Sequence, residues 1–162
     1  GTFEELLWNG EKTEDPFSLF QLPNAAVCLQ NSHLLNATIR ENLTLGRDFS
    51  DESCLEALND CCIAEEVMHM PDGLGTLAGE NGIMLSGGQK QRILLARMLL
   101  TPPRLYLLDD ATSALDGKTE RKILETLRER IRRDNGAAVI VSDSDNVKAM
   151  ADRILSIGGN AS

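Results

Sequence analysis

The sequence has no stretch long and apolar enough to cross a bilayer. Its longest apolar runs, residues 137–141 and residues 93–100 with Arg97 inside, fall well short of the roughly 18 to 20 residues that a helical span requires. No transmembrane segment is therefore expected, and no signal peptide opens the chain. Positive charge is also in short supply: 16 Lys and Arg against 25 Asp and Glu leave a net charge of −9. Nucleic acids and anionic membranes repel such a chain, which speaks against a nucleic-acid partner and leaves protein as the route of any membrane link. Cysteine is scarce and unpatterned. Cys28, Cys54, Cys61 and Cys62 form no CxxC spacing, and three of them share one apparently helical stretch, so reduced, mostly buried thiols are expected rather than a metal site or a disulfide. His33 and His69 stand outside any ligand-like pattern and read as structural. There is no internal repeat and no low-complexity tract.

What is present suits one globular domain: 162 residues, 42% of them apolar and 25% charged. Residues 1–30 mix turn formers (Asn9-Gly10, Asp15-Pro16, Pro23-Asn24) with short apolar pieces, of which residues 25–29 read as a buried strand. Residues 36–70 turn helical. Ser50 is a candidate N-cap, and Cys54, Leu55, Leu58, Cys61 and Cys62 recur at helix spacing before Pro71-Asp72-Gly73 ends the run. Glycines then punctuate residues 73–88, and residues 89–100 are again helical until Thr101-Pro102-Pro103. Residues 105–108 form a short apolar strand ending in Asp109 and Asp110, and Asp116 can cap a helix whose inner stripe is Ile123, Leu124, Leu127 and Ile131. Residues 137–141 and 154–157 read as further buried strands, separated by a short helix over 147–151. This alternation predicts an α/β core with a parallel sheet.

Two segments carry chemistry. Leu85-Ser86-Gly87-Gly88-Gln89 opens a helix, and a hydroxyl with two glycines there makes an anion site from bare backbone N–H groups, the positive end of the dipole and a side-chain donor. Alone, such a Gly-Gly pair is more often an ordinary loop. The second is the strand from Arg104 to Asp109-Asp110, which drives a carboxylate to the carboxyl edge of a sheet, where open α/β sheets bind ligands. Asp109 is the candidate for organising Mg²⁺, and Asp110 the candidate for orienting or activating an attacking water. Alone, this is a strand ending in a solvated acidic pair.

Together these segments resemble the ATP-binding cassette (ABC) ATPases, from about residue 25 to residue 157. LSGGQKQR at residues 85–92 resembles the family signature, and LYLLDDATSALD at 105–116 a Walker B strand running into the D-loop. VCLQNSHLLNATIRENL at 27–43 resembles the Q-loop region, with Gln30 as its glutamine. TLAGENG at 76–82 is similar to the X-loop of exporters, and Thr38-Ile39-Arg40-Glu41-Asn42 to the sequence that follows their Q-loop. The resemblance implies a partial RecA-like P-loop core with an inserted helical subdomain, divided as residues 1–29, 30–100 and 101–162. It implies ATP and Mg²⁺ as cofactors, with Ser86, Gly87, Gly88, Gln89 and Asp116 as nucleotide contacts. Asp109 and Gln30 are the implied metal ligands, and Asp110, Gln30 and the switch position Asp143 the catalytic groups. The implied partners are a second nucleotide-binding domain, identical or different, and the transmembrane domain of an exporter, placing the chain at the cytoplasmic face of a membrane. Residues 30–43 and 79–82 are the candidate coupling surface. The alternatives are an inactive dimerisation module and a non-transport ABC ATPase.

Three departures stand against the family pattern. The Walker A loop GxxxxGK[ST], which cradles the β- and γ-phosphates, does not occur; the nearest approach, from Gly82 to Gly87-Gly88, has glycine in place of lysine. Asp110 stands where active members have glutamate, shorter by one methylene or about 1.5 Å. Asp143 stands where a switch histidine is expected, replacing a hydrogen-bond donor by an anion near the γ-phosphate. Loss of both groups beside an intact signature resembles the degenerate-site subunit of heterodimeric exporters. The opening GTFEELL reads either as the strand region before Trp8-Asn9-Gly10 or as the tail that follows the last strand of an exporter cassette, and a core that lacks an interior strand is expected to expose apolar surface.

Overall fold

The computed structural model describes residues 24–101 and 103–156 and two short strands, β1 (Leu7–Trp8) and β2 (Glu11–Lys12). These two pair antiparallel. The expected turn at Asn9-Gly10 falls between them, outside the described residues, as do residues 1–6 and Ile157.

The core is a parallel sheet of three strands in sequence order: β3 (Ala25–Cys28), β4 (Leu105–Asp109) and β5 (Ala137–Val141). Parallel neighbours need long crossovers, and helices supply both. Between β3 and β4 come α1 (Ile39–Thr44), α2 (Asp51–Asp60), α3 (Ala64–Met68) and α4 (Gly87–Leu100); between β4 and β5 comes α5 (Gly117–Arg133), and α6 (Asp145–Met150) follows β5. Tyr106 lies opposite Ala26 and Ala138, and Leu108 opposite Cys28 and Ile140. Since side chains alternate faces, this register puts Cys28, Tyr106 and Leu108 on one face, where they form a single core with Ile93 and Leu99 of α4 and Ile123 and Leu127 of α5.

Among the described residues nothing covers the other face. The strand expected over residues 137–141 is present, but it is not buried: Val139 and Val141 are 56% and 58% exposed. With Leu29 and Leu107 they line an apolar groove of about 240 Å³, and Asp109 stands on its wall. The expected strand stops at Cys28, leaving Leu29 exposed. The strand expected over residues 154–157 is not formed at 154–156, where Leu155 is 80% exposed. An extended segment becomes a strand only when a neighbour takes its backbone hydrogen bonds, and among the described residues none borders it.

The helical block is set by its caps. Thr38 and Glu41 form a reciprocal capping box at the start of α1, and Ser50 caps α2 as expected, accepting from the Ser53 N–H. Cys54, Leu58 and Cys61 are buried, and all four cysteines are free thiols. Burial pushes the Cys28 thiol up to about 11, which keeps it unreactive at neutral pH. The block is fastened to α5 by Arg130, whose Nε donates to Asp60 at 2.6 Å and whose Nη1 donates to the Leu99 carbonyl at 3.0 Å.

Asn42 is the polar centre of this block and is fully buried. Its Oδ1 accepts from the Leu35 N–H at 2.8 Å and from Arg97 Nη2 at 2.8 Å, while its Nδ2 donates to the carbonyls of Leu35, Ala37 and Thr38 at 3.1, 3.3 and 3.0 Å. Arg97 also donates to the Asn42 and His33 carbonyls. Asn42→Ala orphans these groups and should cost about 2 to 3 kcal/mol, read as a lower urea midpoint at unchanged slope. The buried Tyr106 hydroxyl has no hydrogen-bond partner among the described residues, so Tyr106→Phe should be neutral or stabilising by about 1 kcal/mol in the same titration.

Candidate functional site

The parallel register gathers the expected polar groups at the carboxyl edge of the sheet. Gln30 lies two residues beyond β3, Asp109 ends β4 with Asp110 following it, and Asp143 lies two residues beyond β5. Gln30 Nε2 donates to Asp110 Oδ2 at 3.2 Å, joining two groups 80 residues apart in sequence. That leaves Gln30 Oε1 without a hydrogen-bond partner among the described residues, as are the Asp109 and Asp143 side chains. Asp110 sits in the left-handed region at φ +49°, and its N–H donates to the Val141 carbonyl at 2.9 Å. The conformation costs a non-glycine residue about 1 kcal/mol and turns the chain sharply out of the sheet.

The second cluster is the start of α4. Ser86 is its N-cap, and the box closes both ways: Ser86 Oγ accepts from the Gln89 N–H at 3.2 Å and Gln89 Oε1 accepts from the Ser86 N–H at 2.9 Å. The Gln89 Nε2 donates to Glu66 at 3.0 Å. Both ends of the Gln89 amide are thus engaged within the fold. Glu66 is shared with Arg92, whose guanidinium pairs with it at 2.6 Å, and Arg92 with Gln89 holds this carboxyl below the usual range. Ser86 Oγ accepts in the cap, so its hydroxyl hydrogen remains to be donated outward. Beside it the amides of Gly87 and Gly88 open the first turn, where backbone N–H groups have no intrahelical acceptor. Ser86 and Gly87 are exposed, and the 14-residue helix directs its positive end at this point.

The loop from Asp110 to Asp116 lies against the same helix start. A Cβ on Gly88 would stand 3.2 Å from the Ala114 carbonyl oxygen, and one on Gly87 would stand 3.7 Å from Ala114 Cβ. Glycine at position 88 thus lets the loop approach as well as baring the amide, whereas at 87 a Cβ would stand at ordinary contact distance. Gln91 fastens the contact: its Oε1 accepts from the Ala114 N–H at 2.8 Å, and its Nε2 donates to Ser113 Oγ at 3.1 Å. Gln91 lies within the LSGGQKQR stretch, but its place in that stretch gives it no role of its own. Asp116 caps α5, its Oδ1 accepting from the N–H groups of Lys118 and Thr119. Hydrogen bonds from Thr119 hold its carboxyl below the ordinary range.

The two segments expected to form a coupling surface are adjacent, since a Cβ on Gly82 would stand 3.1 Å from Leu34 Cδ1, and residues 76–78 just ahead of the second segment pair with the first. Thr38 and Leu77 form an antiparallel bridge, with Ile39 N–H donating to the Thr76 carbonyl at 2.9 Å and Ala78 N–H to the Ala37 carbonyl at 3.0 Å. At the base of the helical block a cleft of about 230 Å³ runs along β3, with Ser32, Leu45, Arg47, Arg97 and Met98 in its walls. Neither arginine has a carboxylate partner among the described residues.

The family described as "ABC transporter" matches residues 2–113. Among individual proteins, the chain is 41% identical over 139 residues to the ABC-type transporter fsqE of Aspergillus fumigatus, covering 80% of this chain and 11% of the relative. It is 42% identical over 135 residues to the uncharacterized ABC transporter ATP-binding protein YwjA of Bacillus subtilis, covering 83% of this chain and 23% of the relative. It is 38% identical over 127 residues to the mitochondrial iron-sulfur clusters transporter ATM1 of Saccharomyces cerevisiae, covering 78% of this chain and 18% of the relative. Among solved structures, a bacterial Atm1-family ABC exporter with ATP bound superposes with a TM-score of 0.70 at 36% identity, covering 79% of this chain and 22% of that one. The chain therefore spans between about a tenth and a quarter of these relatives.

Replacing the cap separates its structural from its ligand-facing role. Ser86→Ala should lower stability by about 1 kcal/mol, whereas Ser86→Asp, an equally good cap, should stay within a few tenths; urea unfolding of both variants measures this.

Proposed function

The chain belongs to the ABC transporter family, and we propose that it is nucleotide-binding-domain material of an exporter, coupling ATP binding and hydrolysis at a domain interface to transport. The observation that carries this reading is the start of α4, where Ser86 keeps a hydroxyl donor beside two bare glycine amides while Gln91 ties the same turn to the loop after β4. Such a site accepts a terminal phosphate. Ser86, Gly87 and Gly88 grip a nucleotide held mainly by the opposing domain, and Gln89 and Asp116 support them from within as caps. The Atm1-family neighbour and the exporter-like segments 76–82 and 38–42 favour export, with residues 30–100 as the helical subdomain between the flanking parts, 1–29 and 101–162, of the ATP core.

The carboxyl edge of the sheet is the other half of the site. Asp109 and the free Oε1 of Gln30 offer the one or two protein oxygens that Mg²⁺ takes when phosphates complete its shell. When bound, the ion neutralises charge developing on the phosphates. Asp110, held by Gln30, orients water from a shorter arm than glutamate, and Asp143 presents an anion where a donor serves hydrolysis. Both weaken the site on this side, so this chain's main contribution is its signature, completing a more active site on the partner domain. The groove under Val139 and Val141, with Asp109 on its wall, suits the Walker A element, which these 162 residues do not contain. The cleft along β3 and the segments 30–43 and 79–82, the first bridged to Leu77 just ahead of the second, suit the cytoplasmic end of a transmembrane domain. The family match begins at residue 2 and the strand at Leu7–Trp8 pairs with Glu11–Lys12, which favours this part of the chain as strand material ahead of the Q-loop over a displaced tail.

In the complete transporter, Ser86→Arg should abolish ATP turnover, because a long side chain would fill the phosphate site at the start of α4 and remove its hydroxyl donor, whereas Asp110→Asn should cost less than about threefold. Equal losses would show an undivided role. For the 162-residue chain alone, isothermal titration with ATP should show no binding tighter than about 1 mM, because the phosphate cradle and its lysine are missing.

A further inference from the structure

A single carboxylate joins the loop after β4 to the segment after β5. Glu120, in the first turn of α5, is only 7% exposed. Its Oε1 accepts from the Thr112 hydroxyl at 2.7 Å, and its Oε2 accepts from the Ser144 hydroxyl at 2.8 Å and from Asn146 Nδ2 at 2.7 Å. Asn146 also donates to the Gly117 carbonyl at 3.2 Å. No basic side chain pairs with Glu120 among the described residues. Burial works against its charge, yet the bonds from Asn146, Thr112 and Ser144 outweigh that and hold its carboxyl below the usual range. Ser144 is the N-cap residue of α6, but its side chain makes no cap bond. Its hydroxyl goes to Glu120 instead.

Thr112 lies inside the loop that Gln91 fastens to α4, and Ser144 directly follows Asp143. From this arrangement we infer that Glu120 is a positioning residue that locks the 110–116 loop to the 142–146 segment, so that the two shift as one body against nucleotide. The lock itself is a property of this chain; its bearing on hydrolysis rests on the reading of Asp143 and the loop given above. Glutamine can replace it: an amide can turn its oxygen to Ser144 and Asn146 and its NH₂ to Thr112, whose hydroxyl accepts as well as donates. Alanine cannot.

The test is amide hydrogen exchange on the full 162-residue chain without nucleotide. Glu120→Ala should accelerate residues 111–115 and 142–146 together by about tenfold, the effect of losing one or two buried hydrogen bonds, while α4 and β4 stay unchanged; Glu120→Gln should return both to within about threefold of the parent. Acceleration of one segment alone, or of neither, overturns the lock. If the alanine variant does not fold, Thr112→Val serves: it must accelerate 142–146 across the carboxylate, and an unchanged 142–146 overturns the proposal. In the complete transporter, Glu120→Ala should lower kcat by about two- to threefold, within the limit set by Asp110→Asn, with KM for ATP unchanged, because positioning acts on the transition state more than on binding. Coupled exchange with unchanged kcat would keep the lock and remove its role in hydrolysis, whereas a signature that fails the Ser86 test would leave the exchange result standing.

Discussion

The position of β4 between β3 and β5 is the constraint on which the remaining geometry depends. Because both pairings are parallel and in register, Leu108 lying opposite Cys28 and Ile140, the three strands end together. Everything polar that follows them therefore meets at one edge, although Gln30 and Asp143 are separated by more than a hundred residues. The Gln30 to Asp110 bond is a consequence of that register. A one-residue slip would turn Asp109 to the opposite face and withdraw it from the groove it now borders.

Most of the polar side chains near this edge are taken up within the fold. Gln89 closes the α4 cap and reaches Glu66, Gln91 holds Ala114 and Ser113, Asp116 caps α5, and Glu120 joins Thr112 to Ser144 and Asn146. What remains open is small: the Ser86 hydroxyl hydrogen, the amides of Gly87 and Gly88, Asp109, Asp143 and one oxygen of Gln30. A preorganised site has this form, with a few unpartnered groups positioned by many satisfied ones. The helical block follows the same logic at Asn42, where one buried amide ties the segment after Gln30 to α1 and α4.

The pattern of apolar residues made most elements legible. Ser50 and Asp116 as caps, the stripe of Ile123, Leu124 and Leu127, and the strand ending in Asp109 are local features, set by helix periodicity and strand alternation within a few residues. Residues 154–156, which form no strand, and the exposed Val139 and Val141 depart from the expected buried strands for a common reason. An apolar run resembles a buried strand whether or not a neighbour covers it, and here one face of the sheet has no cover among the described residues. Glu120 carries no local signal because it sits on an amphipathic helix among other polar residues, and for Gln91, although it lies within LSGGQKQR, only the approach of a distant loop reveals what it holds.

The chain by itself determined its family and its candidate chemistry. LSGGQ at a helix start and two aspartates at a strand end are local, and their chemistry comes from backbone amides and carboxylates placed by neighbouring residues. Only the tertiary structure decided which of those groups stay available. Whether a polar side chain faces a ligand or is consumed by the fold depends on contacts such as Gln89 with Glu66 or Glu120 with Ser144, made between residues more than 20 positions apart. No pattern within one helix or strand encodes such a contact, because it exists only once packing has brought the two elements together.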